Sequence, residues 1–598
     1  ALDLLAENLR MRDLARSAWE RNLGALAGLD SVTDPAKQRQ ILSGAGATAA
    51  VRGRLAAARL LEAASYAAVE AGGTAVSPAT RTHASRLRAD LALQSGELGI
   101  ARQAWKEAMG RLAEIQDEKA RLPIEGDLLL LGARIAFAMG RVPESATTDR
   151  ALKLLSLAEA SDGFRALPQR RIELWAQGVR MLALAGRPEE AEALVAKAEK
   201  LAEASRIQLS ASRTAGVRAA YADLAVSRLR LGDPVLAFEA LARAQCWRVG
   251  GVGRCADFTF ERWVRSLPLN VFAVVAWPMD SQLVLFAARR GAAPIGVLLS
   301  VGRGELTRLA ERFREHPEDL LLGAHLSRIL LGPIEALLRP GDRIFASLEG
   351  VLGTLPLAAL PTASGRYLVE EHDLAFVRRV AAVPALALPT PNDTATWRSV
   401  IVGASRGGGG FFSLPEAAEE AEHVAGAFPG ATLLTGEAAQ KAPILAELPG
   451  ARLFHFAGHA SLRRGGLILG EDATGIDVLS AEDLAPRARN LRLAVLSACR
   501  TGKTEGIDAE LDLSRSLLDA GVPAVIATTA PVDDDKALAL FKEFYPQLRA
   551  SGDPLQALRA AQLELLRGGE SEIRSPGSWA PFGVWVDRVE GYPDEGGS

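Results

Sequence analysis

Four short segments in the first 250 residues repeat one pattern: "ALQSGELGIA", "AFAMGRVPES", "ALAGRPEEA" and "LRLGDPVLA". Each sets a glycine five residues ahead of a small residue: Gly96 and Ala101, Gly140 and Ser145, Gly186 and Ala191, Gly232 and Ala237. Gly53 with Ala58 is a weaker fifth copy, and the glycines are spaced by 43, 44, 46 and 46 residues. The surrounding sequence is rich in Ala and Leu with helical periodicity. Glycine in this position ends a helix in a left-handed cap. Pro188 and Pro234, two positions later, suit the first turn of the next helix. The small residue one turn on lets paired helices approach closely. A solenoid built this way presents an extended concave surface for another protein and performs no chemistry itself.

The array resembles tetratricopeptide repeats, whose usual period is about 34 residues, with the helices lengthened. HEAT-like pairs have a similar period and are the alternative. The whole chain, 598 residues, is too long for one core, because single cores stop growing at roughly 250–300 residues. With 24% charged residues and a net charge of −3, nothing suggests direct nucleic-acid or membrane-surface binding. Apolar runs such as "VFAVVAW" (271–277) are too short to span a bilayer. No signal peptide is visible ahead of the repeats, and a cytoplasmic location is expected. Three cysteines are too few for a disulfide framework; Cys246 and Cys255, flanking "WRVGGVGR", could pair, but two reduced thiols are the expected state. No Cys/His spacing suggests zinc, so neither a metal nor another cofactor is expected.

Near residue 265 the pattern changes. "VFAVVAWPMDSQLVLFAARRG" reads as strand, turn and strand, followed by a helical stretch (304–338) and strand-like runs broken by Gly and Pro. This block contains no cysteine and reads as structural. Beyond residue 395 a strand–helix rhythm sets in: "RSVIVGAS", "LPEAAEEAEHVAGAF", "ATLLTG", "AAQKAPILAEL", "ARLFHFAGHA", "LRLAVLSACRTG", "DLSRSLLDAG", "AVIATTAP", two helices over 534–550 and 554–567, and "PFGVWVD". Apolar strands alternating with helices imply a mostly parallel sheet covered on both faces. Functional residues then belong where the carboxyl ends of strands give way to loops. "RGGGG" follows a strand, but no phosphate-binding lysine follows it.

Two consecutive strands end on reactive side chains: "LFHFAGHA" on His459 and "AVLSACRTG" on Cys499. Neighbouring parallel strands would present both from one edge of the sheet. A cysteine nucleophile needs such an imidazole to accept its proton, since a free thiol has a pKa of about 8.5. Small residues around both, Ala457, Gly458 and Ala460 on one side and Ser497 and Ala498 on the other, leave room for a substrate backbone. His455, two positions inside the same strand, reads as a supporting or core histidine.

"FHFAGHA", "LSACRTG", "APVDDDKALALFKEFYPQL", "ALRAAQLELL" and "WAPFGVWVD", in this order, resemble the CHAT family, with "LLGPIEALLRPGDRIFASLEGVLGTLPLAAL" matching its N-terminal half. These are caspase-like cysteine peptidases found behind tetratricopeptide repeats and related to separases. The resemblance covers about 265–590. It implies a tetratricopeptide-like all-α solenoid (1–255) followed by a caspase-like α/β/α sandwich, with a pseudo-protease half (256–395) and an active half (396–598). It implies Cys499 as nucleophile, His459 as its proton partner, and an oxyanion hole from the backbone N–H of Cys499 with that of Ala460 or Gly458. Asp533, Asp534, Ser497 and Asp508 are the expected substrate contacts, with a basic residue before the scissile bond. The Asp533–Asp535 run also reads as a helix cap. Ala530 stands where the family typically has a tryptophan, which alters the shape expected of the cleft. The implied function is a regulated cysteine endopeptidase acting on a protein substrate, with a protein or ribonucleoprotein activator bound through the repeats. The alternative is a non-hydrolytic scaffold that keeps the fold for binding.

Overall fold

The computed structural model describes residues 42, 55–71, 76–160, 168–205, 211–248, 251–252, 258–381, 394–408, 411–461, 466–472, 475–499, 508–568 and 571–587. Helices α1 (Leu55–Ala71), α2 (Pro78–Gln94), α3 (Leu98–Leu112), α4 (Glu118–Ala138), α5 (Ser145–Ala160), α6 (Pro168–Leu184), α7 (Pro188–Ser205), α8 (Ala211–Arg230) and α9 (Pro234–Ala244) form the N-terminal array. The four repeat glycines adopt left-handed φ values: 78° at Gly96, 75° at Gly140, 72° at Gly186 and 80° at Gly232. In each copy the next N–H reaches back to close the helix end: Glu97 to Ala92 O (2.9 Å), Arg141 to Ala136 O (2.9 Å), Arg187 to Leu182 O (2.8 Å) and Asp233 to Arg228 O (3.0 Å). This is the bond pattern that satisfies terminal carbonyls after a helix. Gly53 lies outside the described residues.

One copy departs from the others. Helices α3, α7 and α9 start two residues after their glycine, whereas α5 starts five after Gly140. Ala101, Ala191 and Ala237 are therefore fully buried, but Ser145 is exposed and Thr148, one turn on, takes the buried place.

The rest of the described chain is a thirteen-stranded mixed sheet with helices packed on it. Its strands are β1 (Val271–Pro278), β2 (Leu283–Arg289), β3 (Ile295–Leu299), β4 (Arg343–Leu348), β5 (Asp373–Val377), β6 (Ser399–Gly403), β7 (Thr432–Thr435), β8 (Leu453–Ser461), β9 (Gly466–Asp472), β10 (Gly475–Ser480), β11 (Leu493–Cys499), β12 (Ala524–Thr528) and β13 (Phe582–Val586). The spatial order is β10-β9-β8-β11-β12-β13-β5-β4-β1-β2-β3, with β6 on β8 and β7 on β6. The sheet is less parallel than the sequence rhythm implies, because β13 pairs antiparallel with β12 and hairpins close both ends. β13 also pairs parallel with β5, so the last strand of the chain joins strands from either side of residue 395. The hairpin β9–β10, absent from the sequence reading, extends β8 beyond the point where β6 stops.

Five helices position the candidate site and the junction with the repeats: α10 (Phe260–Ser266), α11 (Pro415–Ala427), α12 (Asp508–Asp519), α13 (Asp534–Ser551) and α14 (Pro554–Arg567). Phe238 of α9 packs against Phe260 and Trp263 of α10 and Phe286 of β2, with ring centroids 4.9–5.6 Å apart. The repeats and the sheet thus share one apolar core, which ion pairs supplement. Arg134 of α4 reaches Asp280, in the turn between β1 and β2, at 2.7 Å. Cys246 is disulfide-bonded, which corrects the reading of two reduced thiols. A hairpin of Trp247–Arg248 with Gly251–Val252 turns the chain back just after it. Cys255 lies outside the described residues. No described helix is long and apolar enough to cross a membrane.

Candidate active site

Strands β8 and β11 run parallel and in unbroken register from Leu453↔Leu493 to His459↔Cys499. Register partners on adjacent strands share a face, and residues two apart along a strand do so as well. Positions 455, 457 and 459 therefore lie on the same face as 495, 497 and 499. The two reactive residues singled out in the sequence occupy adjacent backbone positions at the C-terminal end of β11. Residue 500 and the segment 501–507, including Glu505, lie outside the described residues.

His459 is 1% exposed. Its Nε2 lies 2.8 Å from the carbonyl oxygen of Phe412, and a carbonyl only accepts, so Nε2 carries the proton that is donated. In the neutral ring, Nδ1 then holds the lone pair. Burial pushes the His459 pKa below its ordinary value, while the Phe412 carbonyl and the charge of Asp534 pull the other way without cancelling it. The rings of Phe411 and Phe412 also flank the imidazole, each with its centroid 5.2 Å away.

The loop that supplies this carbonyl is tied at three points. Ala404 N donates to Ala457 O at 2.8 Å, Leu414 N to Ser405 O at 2.9 Å, and Gly408 N to Phe411 O at 2.9 Å. Gly403 lets α11 close directly on β6, since a Cβ there would stand 2.7 Å from Ala417 O. The "RGGGGFF" segment is thus the part of the site that side-chain motifs do not announce. Its contribution is a backbone oxygen.

Gly458, on the face of β8 opposite His455 and His459, has φ of 154°, and a Cβ would come 3.0 Å from Ala404 Cβ and Phe456 Cζ. Ala460 is paired with Leu467 of β9. β12, read in the sequence as a neighbour of the cysteine strand, pairs with β11 over 493–495. Of the aspartates after it, Asp533 occupies the N-cap position of α13 without a side-chain cap bond, is largely exposed, and pairs with Lys536. Asp534, the first residue of α13, is half-buried and its charge acts on His459. Asp508 is the first residue of α12.

Ser497 is not open to a substrate. It is buried and donates to Glu420 Oε2 at 3.1 Å, one step below position 499 on the same strand. The sequence reading missed Glu420, which sits on α11, and it gave no signal beyond an acidic residue in an amphipathic helix. Among the described residues no group of three or more His, Cys, Asp or Glu side chains is placed to hold a metal ion.

Residues 321–587 match the CHAT domain. The solved structure of the Saccharomyces cerevisiae separase–securin complex is similar at 10% identity, over 94% of this chain and 48% of that one, with a TM-score of 0.47. The chain thus spans about half of that protein's length. The complex of the Porphyromonas gingivalis RgpB pro- and mature domains is similar at 10% identity over 48% of this chain and 69% of that one, with a TM-score of 0.28. No curated protein matches the sequence.

Proposed function

With residues 321–587 a CHAT domain, we propose that the chain is a regulated cysteine endopeptidase that cleaves a protein substrate through His459 and Cys499. In this reading residues 1–255 recruit an activator or substrate, 256–395 form a non-catalytic half and 396–598 the catalytic half. The observation that carries the reading is the register of β8 and β11, which pairs His459 with Cys499. Adjacent strands lie roughly 4.8 Å apart, a spacing at which an imidazole and a thiol on one face can exchange a proton.

The chemistry follows from the imidazole's state. A ring with Nε2–H committed to Phe412 offers Nδ1 as base, and a lowered pKa keeps it neutral and able to accept at neutral pH. His459 takes the thiol proton and the Cys499 thiolate attacks the scissile carbonyl carbon, forming the C–S bond. The negative charge that develops on the carbonyl oxygen is received by the N–H of Cys499 together with that of Gly458 or Ala460. Losing one such donor costs about 10²–10³ in rate. The imidazolium then gives its proton to the leaving amine as the C–N bond breaks. Water, deprotonated by His459, attacks the thioester and frees Cys499.

Asp534, half-buried and close enough for its charge to act on the imidazole, is the acidic residue that would favour Arg or Lys before the scissile bond. Asp533, exposed and paired with Lys536, suits that role less. A partner docked on the repeats, a protein or ribonucleoprotein, is expected to raise a weak basal activity. Fluorogenic peptides ending in Arg, Lys, Leu or Asp test the reading directly. Cleavage after Arg or Lys that is abolished in both Cys499→Ala and His459→Ala is expected, and cleavage retained by either variant refutes the dyad.

A further inference from the structure

Beneath positions 459 and 499 lies a buried polar chain that the reaction does not use. Tyr545 OH is 2.7 Å from His455 Nδ1. His455 Nε2 is 2.9 Å from Glu420 Oε1, a close contact that is not aligned as a hydrogen bond. Ser497 Oγ donates to Glu420 Oε2 at 3.1 Å. All four side chains are buried. Burial and the charge of Glu420 push the Tyr545 phenol well above its ordinary pKa. The phenol therefore keeps its proton in its contact with Nδ1 of His455.

Each member sits on a different element, and each of those elements carries one part of the candidate site. His455 shares β8 with His459, and Ser497 shares β11 with Cys499. Glu420 is on α11, which closes the loop whose Phe412 carbonyl holds His459. Tyr545 is on α13, which begins at Asp534. Among the described residues no Lys or Arg pairs with Glu420. His455 is the basic side chain beside it, and a buried polar cluster of this kind costs desolvation that apolar packing of the same shape would avoid, so stability alone does not account for the arrangement.

We propose that Tyr545, His455, Glu420 and Ser497 are positioning residues that hold the four site-bearing elements in the one arrangement where His459 can deprotonate Cys499. The inference rests on the peptidase reading. It extends it from the reacting pair to a polar layer one step below, on the same face of β8 and β11. The titratable groups facing this layer are its own His455, Glu420 and Tyr545, with His459 and Asp534 above it.

The test is the rate of alkylation of Cys499 by iodoacetamide between pH 5 and 9 in the full chain. It is followed in the tryptic peptide 493–500 by mass spectrometry, beside each protein's thermal midpoint. In the wild type the rate is expected to rise with an inflection well below that of a free thiol, about 8.5. Glu420→Gln and Tyr545→Phe, near-isosteric and expected to fold, should each move the inflection up by about one pH unit and slow alkylation at pH 7 about three- to fivefold. Phe428→Leu serves as the packing control, since Phe428 touches Tyr545 only through its ring; it should lower the midpoint and leave the inflection in place. A lowered wild-type inflection that both polar variants retain overturns the positioning role and leaves the dyad standing. An ordinary thiol profile in the wild type overturns the dyad and the inference with it.

Discussion

The ion pair between Arg134 and Asp280 joins the repeats to the sheet, and its removal has a magnitude that follows from the structure. Burial alone would raise the Asp280 carboxyl. Arg134, at 2.7 Å, and then Arg303 outweigh burial and hold the pKa at about 2 instead of 3.8. At about 1.36 kcal/mol per pH unit, that depression corresponds to about 2 kcal/mol. The rise in the Arg134 pKa serves two carboxylates, Asp280 and Asp90, and the Asp280 depression draws on Arg134, Arg303 and Arg180, so the figure measures the loss of the Asp280 charge as a whole. Asp280→Asn is expected to destabilise the junction by about 2 kcal/mol at pH 7. The loss is smaller than the 3–5 kcal/mol typical of an orphaned buried charge, because Arg134 keeps Asp90. The sign with pH is fixed by the depressed carboxyl: its contribution is full above about pH 4 and is lost as pH falls through about 2. Hydrogen exchange of α4 and of the β1–β2 turn, with urea unfolding in parallel, measures the difference without assuming that the two parts unfold together. A difference below about 0.5 kcal/mol at pH 7, or one unchanged from pH 5 down to pH 2, refutes the reasoning.

Other consequences can be checked separately. Gly458→Ala forces a side chain into left-handed backbone against Ala404 and Phe456; a cost of about 1–3 kcal/mol should appear as a lower thermal midpoint, and an unchanged midpoint contradicts the geometry. Because burial lowers the His459 pKa from 6.5, the acid limb of kcat/KM should fall below that value, with activity lost as the ring protonates. Asp534→Asn removes a charge that raises this pKa, so the limb should move further down while cleavage after Arg and Lys declines relative to Leu. Faster cleavage after Leu in the wild type, unaffected by Asp534→Asn, excludes the acidic pocket.

What the sequence made legible was whatever rests on local chemistry. The four repeat glycines were readable because only a left-handed cap needs glycine there, and β8 and β11 because their apolar runs stop at His459 and Cys499. The shift at Gly140 was not, since nothing nearby marks that α5 starts three residues later than its counterparts and buries Thr148 in place of Ser145. The hairpin β9–β10 is short and glycine-punctuated, and its role appears only against the free end of β8. The partner of His459 is a backbone carbonyl, which any residue at 412 could supply. Ser497 was read as a substrate contact because small residues at a strand end leave room. Its actual partner, Glu420, lies 77 residues away, and the Tyr545–His455 contact spans 90. Contacts of that range are decided by how helices α11 and α13 land on the sheet, not by any local spacing.

The peptidase reading requires that Cys499 cut proteins. The most direct measurement is mass-spectrometric identification of new protein N-termini after adding the wild-type chain or Cys499→Ala to a lysate that supplies its partners. The expected result is a set of new N-termini made only by the wild type, each directly preceded by Arg or Lys in its parent protein. Identical sets from the two proteins would contradict the peptidase reading.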